Sequence, residues 1–429
     1  MANTNIVANL RLANKIEIIC GFFDADGSFT ARVFYSSKKP IGMSMKIGFS
    51  QKDPSVIQMI LQVISIQLTV GKKKRKHLLS PILDWRPIRK KSVVKVFAFS
   101  KSIAFSKYKR KHLLNKRKHL LASGKNSVSH GKAFAFSKPS AIVLMSAWKK
   151  MPPKAPTKYL DYKICLLLHE AQRNEIKVIQ KMLPNERVNL RVACFSLLYL
   201  RYQMFGKVKH NRHPKLIPIT THYTILQATG FEIKESERIG KHLLDIIQKD
   251  VTNHANNLSI TEGYLLGYHI GDGSFSFSTY FDDETNKTFR ASFLWNLTDC
   301  IENKPLLEAI KKFLESKGIV FRKTCFKDFV TYVQLEVKTI PSCTNIVDLF
   351  EQWGARKHFS QVRLNQFECF SEALKLYQDP GFRDDINMCE RFIYLKWHMN
   401  PDTNSKKKST YAEDLIKLRA WFNNKGSIN

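Results

Sequence analysis

Two nine-residue words hold the acids best placed to do chemistry. Gly21-Phe22-Phe23-Asp24-Ala25-Asp26-Gly27-Ser28-Phe29 and Gly267-Tyr268-His269-Ile270-Gly271-Asp272-Gly273-Ser274-Phe275 coincide at five of nine positions and lie 246 residues apart. Asp26 matches Asp272, whereas Asp24 faces Ile270, so Asp24 is the weaker catalytic acid and caps or pairs locally. The chemistry that fits a repeated carboxylate is metal-assisted hydrolysis of a phosphodiester: an oxygen-rich site suits Mg2+ or Mn2+, and the ion activates water and steadies the leaving oxygen. An EF-hand is excluded, because DADGSF lacks the acid spacing and terminal Glu of that loop.

Each word must be carried by an element that ends at the acid. Ile16, Ile18, Ile19, Phe22 and Phe23 precede Asp26, and Leu265, Leu266 and Ile270 precede Asp272, at helical spacing. Gly27 and Gly273 stand where a helix C-terminus favours a left-handed residue. After them the pattern alternates: Ser274, Ser276, Ser278 and Tyr280 share one face, and Phe275, Phe277 and Thr279 the other. The unit is therefore helix, glycine stop, strand. Gly21 and Ala25, like Gly267 and Gly271, lie four apart on one helix face, which lets two backbones approach closely. Pairing of the two helices through these residues brings Asp26 and Asp272 to one end of a shared interface. A carboxylate there opposes the helix dipole by about 0.3–1 kcal/mol, and two close carboxylates repel. Bound divalent cations reverse both penalties.

Composition supports a polyanionic partner. The net charge is +34, which points to DNA, RNA or an anionic surface. The charge is uneven: residues 71–150 hold 23 Lys and Arg against one acid, Asp84, and so carry +22 of the total. That stretch repeats RKHLL at 75–79, 110–114 and 117–121, and FAFSK at 97–101 and 134–138. The spacing is irregular, so the words do not describe a solenoid. Residues 72–138 read as a basic low-complexity insertion, mobile or partly helical. The stretch adds phosphate contacts or is merely tolerated. No run of about 18 apolar residues exists, and the N-terminus lacks a secretory pattern. The eight cysteines form no CxxC pair, which excludes zinc ribbons and points to reduced core residues.

At these residues the chain resembles a LAGLIDADG homing endonuclease in its single-chain, two-motif form. Ile19–Gly27 fills the nine-letter motif once, and Leu265–Gly273 fills it again, departing at Ile270. The resemblance implies an α+β fold of two pseudo-symmetric αββαββα half-domains, each laying a curved antiparallel sheet into the DNA major groove, with paired motif helices between them. The halves would span 10–205 and 256–425, with 206–255 a linker carrying helical segments. It also implies catalytic Asp26 and Asp272 as metal ligands, with Gln51 and Asp299 supporting the solvent network and a basic residue before each closing helix. Lys158 fits that role in the first half. In the second the alignment is ambiguous, with Lys357 chosen and Arg363 the other possibility. The base-reading faces would be Ser28, Thr30, Arg32, Ser44, Lys46 and Ser50, then Ser274, Ser276, Ser278, Arg290, Ser292, Asn296 and Thr298.

The family cuts both strands of a long double-stranded DNA site, usually as an intron-encoded enzyme of a chloroplast or mitochondrion. A single chain of this kind acts as a monomer without a membrane. Some members hold their own intron RNA and assist its splicing, which leaves a maturase as the second reading. A plain basic architectural protein explains the charge and leaves the duplicated motif unexplained. Between the helix near 54–67 and Lys158 the family expects two strands and a helix, for which 85–99 and 141–150 offer pieces. KHNRH at 209–213 reads as a solvated loop.

Overall fold

A computed structural model describes residues 15–36, 39–51, 132–135, 151–200 apart from 191, 195 and 198, 233–281, 289–401 and 409–426. The stretches 52–131, 136–150 and 201–232, which hold most of the basic segment, lie outside the described residues. Two compact units emerge. One comprises Met1–Ala25 with Ala255–Asn429, the other Asp26–His254.

The first unit contains both motif helices, α1 (15–26, up to Ala25) and α4 (Glu262–Asp272). Thr261 starts α4 by accepting a hydrogen bond from the Tyr264 N–H, which satisfies one of the orphan donors of a helix start. The chain then runs β4 (Gly273–Phe281), β5 (Phe289–Cys300), α5 (Lys304–Ser316), β6 (Phe326–Asp328), β7 (Tyr332–Val337) and α6 (Ile340–Gln352). This is the αββαββα order. The antiparallel sheet has strand order β4-β5-β7-β6. Three further helices follow: α7 (Gln361–Gln378), α8 (Ile386–His398) and α9 (Tyr411–Gly426).

Alternation gives this sheet two distinct faces. Phe275, Phe277, Phe293, Trp295, Leu297, Leu335 and Val337 are buried. The helices supply the other layer of the core: Leu306, Leu307, Ile310 and Leu314 from α5, Ile346 and Phe350 from α6, Phe367 and Phe370 from α7. Phe275 sits at the centre, with ring centroids 4.9 Å from Phe370, 5.5 Å from Phe367 and 5.8 Å from Phe350. On the opposite face Ser274, Ser276 and Ser278 stay half-exposed and Arg290 and Ser292 are exposed, as the sequence pattern expects. A part-buried ion pair from Lys396 to Asp414, at 2.7 Å, ties α8 to α9, and Lys396 also donates to Thr279 of β4 at 2.8 Å.

The second unit holds β1 (Gly27–Ser36), β2 (Lys39–Gln51) and β3 (Lys132–Ala135) in one antiparallel sheet, with α2 (Pro156–Met182) and α3 (Ile233–Asn256). The register opposes Ser28 to Gly48, Thr30 to Lys46 and Arg32 to Ser44. Helix α3 falls in the stretch expected to link the halves. Its Ile239, Leu243 and Ile247, at i, i+4 and i+8, are buried. It docks on α2 through Tyr159, whose hydroxyl donates to Asp250 at 3.2 Å and whose ring stacks on His254 at 3.9 Å.

Two expectations change. Residues 132–135 were expected within the basic insertion, yet they form β3 and ladder onto β2. Gly27 opposes Phe49 as Gly273 opposes Leu297, which makes Phe49 and Leu297 equivalent. Phe49 opposes Phe134, and Leu297 opposes Leu335, so β3 takes the place beside β2 that β7 takes beside β5. A strand thus appears at 132–135, whereas the pieces at 85–99 and 141–150 lie outside the described residues. The second change concerns the glycines: among those described, only Gly318 and Gly354 have positive φ. Gly273 is extended at φ −86°, ψ 157°. It is glycine because a Cβ there would fall on the His269 ring.

Candidate active site

The two motif helices meet backbone to backbone. A Cβ on Gly21 would land on the Tyr264 carbonyl oxygen, and one on Gly267 would land on the Ile18 carbonyl oxygen. Ile18 precedes Gly21 by three residues and Tyr264 precedes Gly267 by three, so each glycine meets the position equivalent to the one its partner meets. The contact is therefore pseudo-two-fold. Small residues at these positions were expected from their spacing; the geometry shows why nothing larger fits.

Asp272 is the last residue of α4 and is half-exposed; Asp26 is the last residue of α1 and is also half-exposed. Asp24, by contrast, is buried, and the Tyr264 hydroxyl donates to its Oδ2 at 2.7 Å. Asp24 thus pairs, but not locally as expected: its partner lies 240 residues away on the other motif helix.

Around each motif acid the structure places one basic side chain. In the second unit, Lys158 is the third residue of α2, and its Nζ donates to the Gly27 carbonyl oxygen. In the first unit, Arg363 is the third residue of α7. Its Nη1 donates to Gly273 O at 2.6 Å and its Nη2 to Gly271 O at 3.0 Å. Ser360 caps that helix by accepting from the Arg363 N–H at 3.3 Å. Arg363 therefore matches Lys158 in helix position and in target. Lys357, chosen from the sequence, is exposed on the 3-10 turn Ala355–Lys357, next to the left-handed Gly354. The spacing signal that would have decided this is the N-cap serine three residues before Arg363 and the helical run after it.

The other expected site residues divide by half. Gln51 ends β2 opposite Lys132, at the position equivalent to Asp299. Asp299 is bound on both oxygens: Asn303 Nδ2 donates to each, at 2.9 and 3.0 Å, the Cys300 N–H donates at 2.7 Å, and the Tyr268 hydroxyl donates to Oδ2. Tyr268 was missed as a site residue, although its place one helical turn before Asp272 marks it. Burial pushes its hydroxyl pKa well up, and the neighbouring Asp299 and Asp272 carboxylates push it further. Ser274 donates to Asn296 Oδ1 across the strands, which explains why Asn296 is buried on the polar face. Arg290 and Ser292 stay open.

His269 lies beneath this site. It is buried, and its Nδ1 accepts from Trp295 Nε1 at 3.2 Å. Burial, and then the Arg363 guanidinium, hold its pKa well below the usual histidine value, so the ring is neutral. All eight cysteines are free thiols, and seven are buried, the core role their spacing implied. No described helix is long and apolar enough to cross a membrane.

No family model matches the chain, and no curated protein matches it. Solved structures do. The chain is similar to the I-LtrWI LAGLIDADG homing endonuclease bound to target DNA, with TM-score 0.53 and 14% identity over 91% of this chain and 98% of that one. The LAGLIDADG meganuclease I-CpaMI bound to uncleaved DNA gives TM-score 0.50 and 12% identity over 90% and 99%. The I-SmaMI LAGLIDADG homing endonuclease bound to cleaved DNA gives TM-score 0.50 and 12% over 90% and 97%. The chain has the fold of the single-chain LAGLIDADG homing endonucleases.

Proposed function

We propose that the chain is a site-specific double-strand DNA endonuclease dependent on Mg2+ or Mn2+. Its metal-holding carboxylates are Asp26 and Asp272, the last residues of the two motif helices. The observation that carries the reading is a unit that occurs twice. A helix ends in Asp, a strand begins at the next glycine, and the third residue of a later helix sets a cation on that glycine's carbonyl. Three solved structures with this fold are described bound to DNA, one of them cleaved.

The residues present fit a hard divalent ion. Each helix ends in one carboxylate beside backbone carbonyls, and among the described residues no group of three or more His, Cys, Asp or Glu side chains gathers to hold a metal. That suits an ion that keeps water and borrows phosphate oxygens, rather than one caged by protein nitrogen or sulfur. When bound, the ion supplies an activated water and charge stabilisation for the leaving oxygen. Lys158 and Arg363 donate to the carbonyls that flank the acids and present positive charge to the scissile phosphates. Asp299, with both oxygens engaged, positions its neighbours, and Gln51 holds the matching place in the first half. The faces carrying Ser28, Thr30, Arg32, Ser44, Lys46 and Ser50, and Ser274, Ser276, Ser278, Arg290, Ser292 and Thr298, read base edges, whereas Asn296, buried against Ser274, does not. The resemblance extends the proposal to a monomer encoded in an organellar intron.

A randomised duplex library, incubated with the purified chain in Mg2+, Mn2+ or EDTA and sequenced at new ends, tests this. One recurrent cut site that vanishes in EDTA is expected. No cutting in either metal sinks the reading. Faster splicing of a host intron RNA with both aspartates dispensable would promote the RNA-binding alternative.

A further inference from the structure

The two motif copies share a backbone, but the side chains around it differ in a patterned way. Starting from Asp24 in α1, its carboxylate accepts from Tyr264 at 2.7 Å. The Tyr264 ring stacks on Tyr268, with centroids 6.1 Å apart and planes 23° apart. The Tyr268 hydroxyl donates to Asp299, which Asn303 grips on both oxygens. Asp24, Tyr264 and Tyr268 are each at most 1% exposed. Two buried tyrosine–carboxylate hydrogen bonds, joined by a ring contact, therefore run from the first motif's buried acid to the strand beside Asp272.

Each member has an equivalent related by the pseudo-two-fold. Asp24 corresponds to Ile270, Tyr264 to Ile18, Tyr268 to Phe22 and Asp299 to Gln51. Ile270, Ile18 and Phe22 are as deeply buried, yet their side chains have neither donor nor acceptor. Those three positions cannot make the same hydrogen bonds. The difference is costly unless it is satisfied throughout, because buried polar groups destabilise when any partner is missing. Tyr268 also lies four residues before Asp272 on α4, on the same helix face.

We propose that Asp24, Tyr264, Tyr268 and Asp299 form a one-sided positioning chain that fixes the Asp272 end of α4, so that cutting of one DNA strand depends on residues that leave the other strand's cutting unaffected. The proposal rests on the endonuclease reading for its catalytic consequence, but not for the positioning itself. Tyr268 acts through Asp272 and touches no substrate. Asp24, though it belongs to the first motif, serves the second motif's acid.

The test uses the full chain and a duplex target labelled on both strands. Asp26→Asn and Asp272→Asn assign each strand to its acid. Tyr268→Phe is then expected to slow the Asp272-dependent strand about tenfold, in the range of losses from outer-shell partners, with the half-saturating DNA concentration unchanged. The other strand should stay within about twofold of the wild-type rate. Asp24→Asn, which keeps an acceptor for Tyr264, should shift the ratio the same way by less. Equal slowing of both strands, or an unchanged ratio, overturns the proposal, since general loosening moves both. Hydrogen exchange of the free variant gives a second readout independent of cutting. Tyr268→Phe should speed exchange over 271–275 and leave 27–29 as in the wild type, and uniform exchange overturns the positioning chain. If the wild-type chain cuts no DNA, the endonuclease reading fails, and this exchange result alone decides the chain.

Discussion

In the first copy of the motif a lysine reaches one glycine carbonyl; in the second an arginine spans two. The first copy puts Phe23 where the second puts His269, and Asp24 where the second puts Ile270. Both copies still end their helix at an aspartate and turn into a strand at the next glycine. What stays fixed is the small residue that the helix contact needs and the helix-end acid, which the backbone does not need and the dipole opposes. What drifts is the side-chain support, which each half rebuilds from different chemistry.

The harshest way to break the comparison is to enlarge a contact glycine. Gly21→Ala and Gly267→Ala each drive a methyl into the partner's carbonyl, so the helices must part. Each should cost about 3 kcal/mol, at the upper end of typical overpacking penalties. Urea unfolding that differs strongly between the two would contradict the pseudo-two-fold contact.

Exchanging the basic residues sharpens the comparison next. Arg363→Ala removes both cationic donors to the Gly271 and Gly273 carbonyls and should slow Asp272-dependent cleavage by about 10–100-fold. Lys357→Ala, at an exposed turn, should change the rate by no more than about twofold. Strand-resolved rates check both, and a reversed ranking restores the sequence-based choice of Lys357.

The smallest effect concerns His269. His269→Phe installs the first copy's residue and strands the Trp295 N–H, at a cost of about 1–3 kcal/mol at pH 7.5. Because burial holds the folded pKa below the unfolded one, the wild type is most stable above the unfolded histidine value of about 6.5. It loses that stability as the pH falls toward the folded value, while the unfolded chain takes up the proton. The variant has no such loss, so its deficit should shrink between pH 7.5 and pH 5. Urea midpoints at the two pH values check this, and a constant deficit contradicts a neutral His269.

Much of this was legible in the sequence, for reasons that can be named. Alternation exposed the faces of β4 and β5, since a half-buried strand must alternate. The mismatch of Asp24 with Ile270 demoted Asp24 before any contact was visible. The role of Gly273 was misread because a helix end and a tight ring contact both demand glycine, and only coordinates separate them. Arg363 stayed ambiguous because Lys357 offers the same charge six residues earlier. The strand at 132–135 was hidden by its own composition: a copy of a repeated basic word resembles an insertion, and pairing with β2 cannot be read from one strand alone. Tyr268 and Asp299 are 31 residues apart in sequence, beyond any local pattern.

In the proposed endonuclease each motif supplies one essential carboxylate, and Asp24 none. Strand-resolved cleavage by Asp26→Asn, Asp272→Asn and Asp24→Asn, in Mg2+, tests it most directly. Loss of either motif carboxylate should cost at least about a hundredfold, more than the loss of an outer-shell partner. Asp24→Asn should still cut both strands, one of them more slowly. Cutting that survives the double change at Asp26 and Asp272, or that is abolished on both strands by Asp24→Asn, would contradict the account.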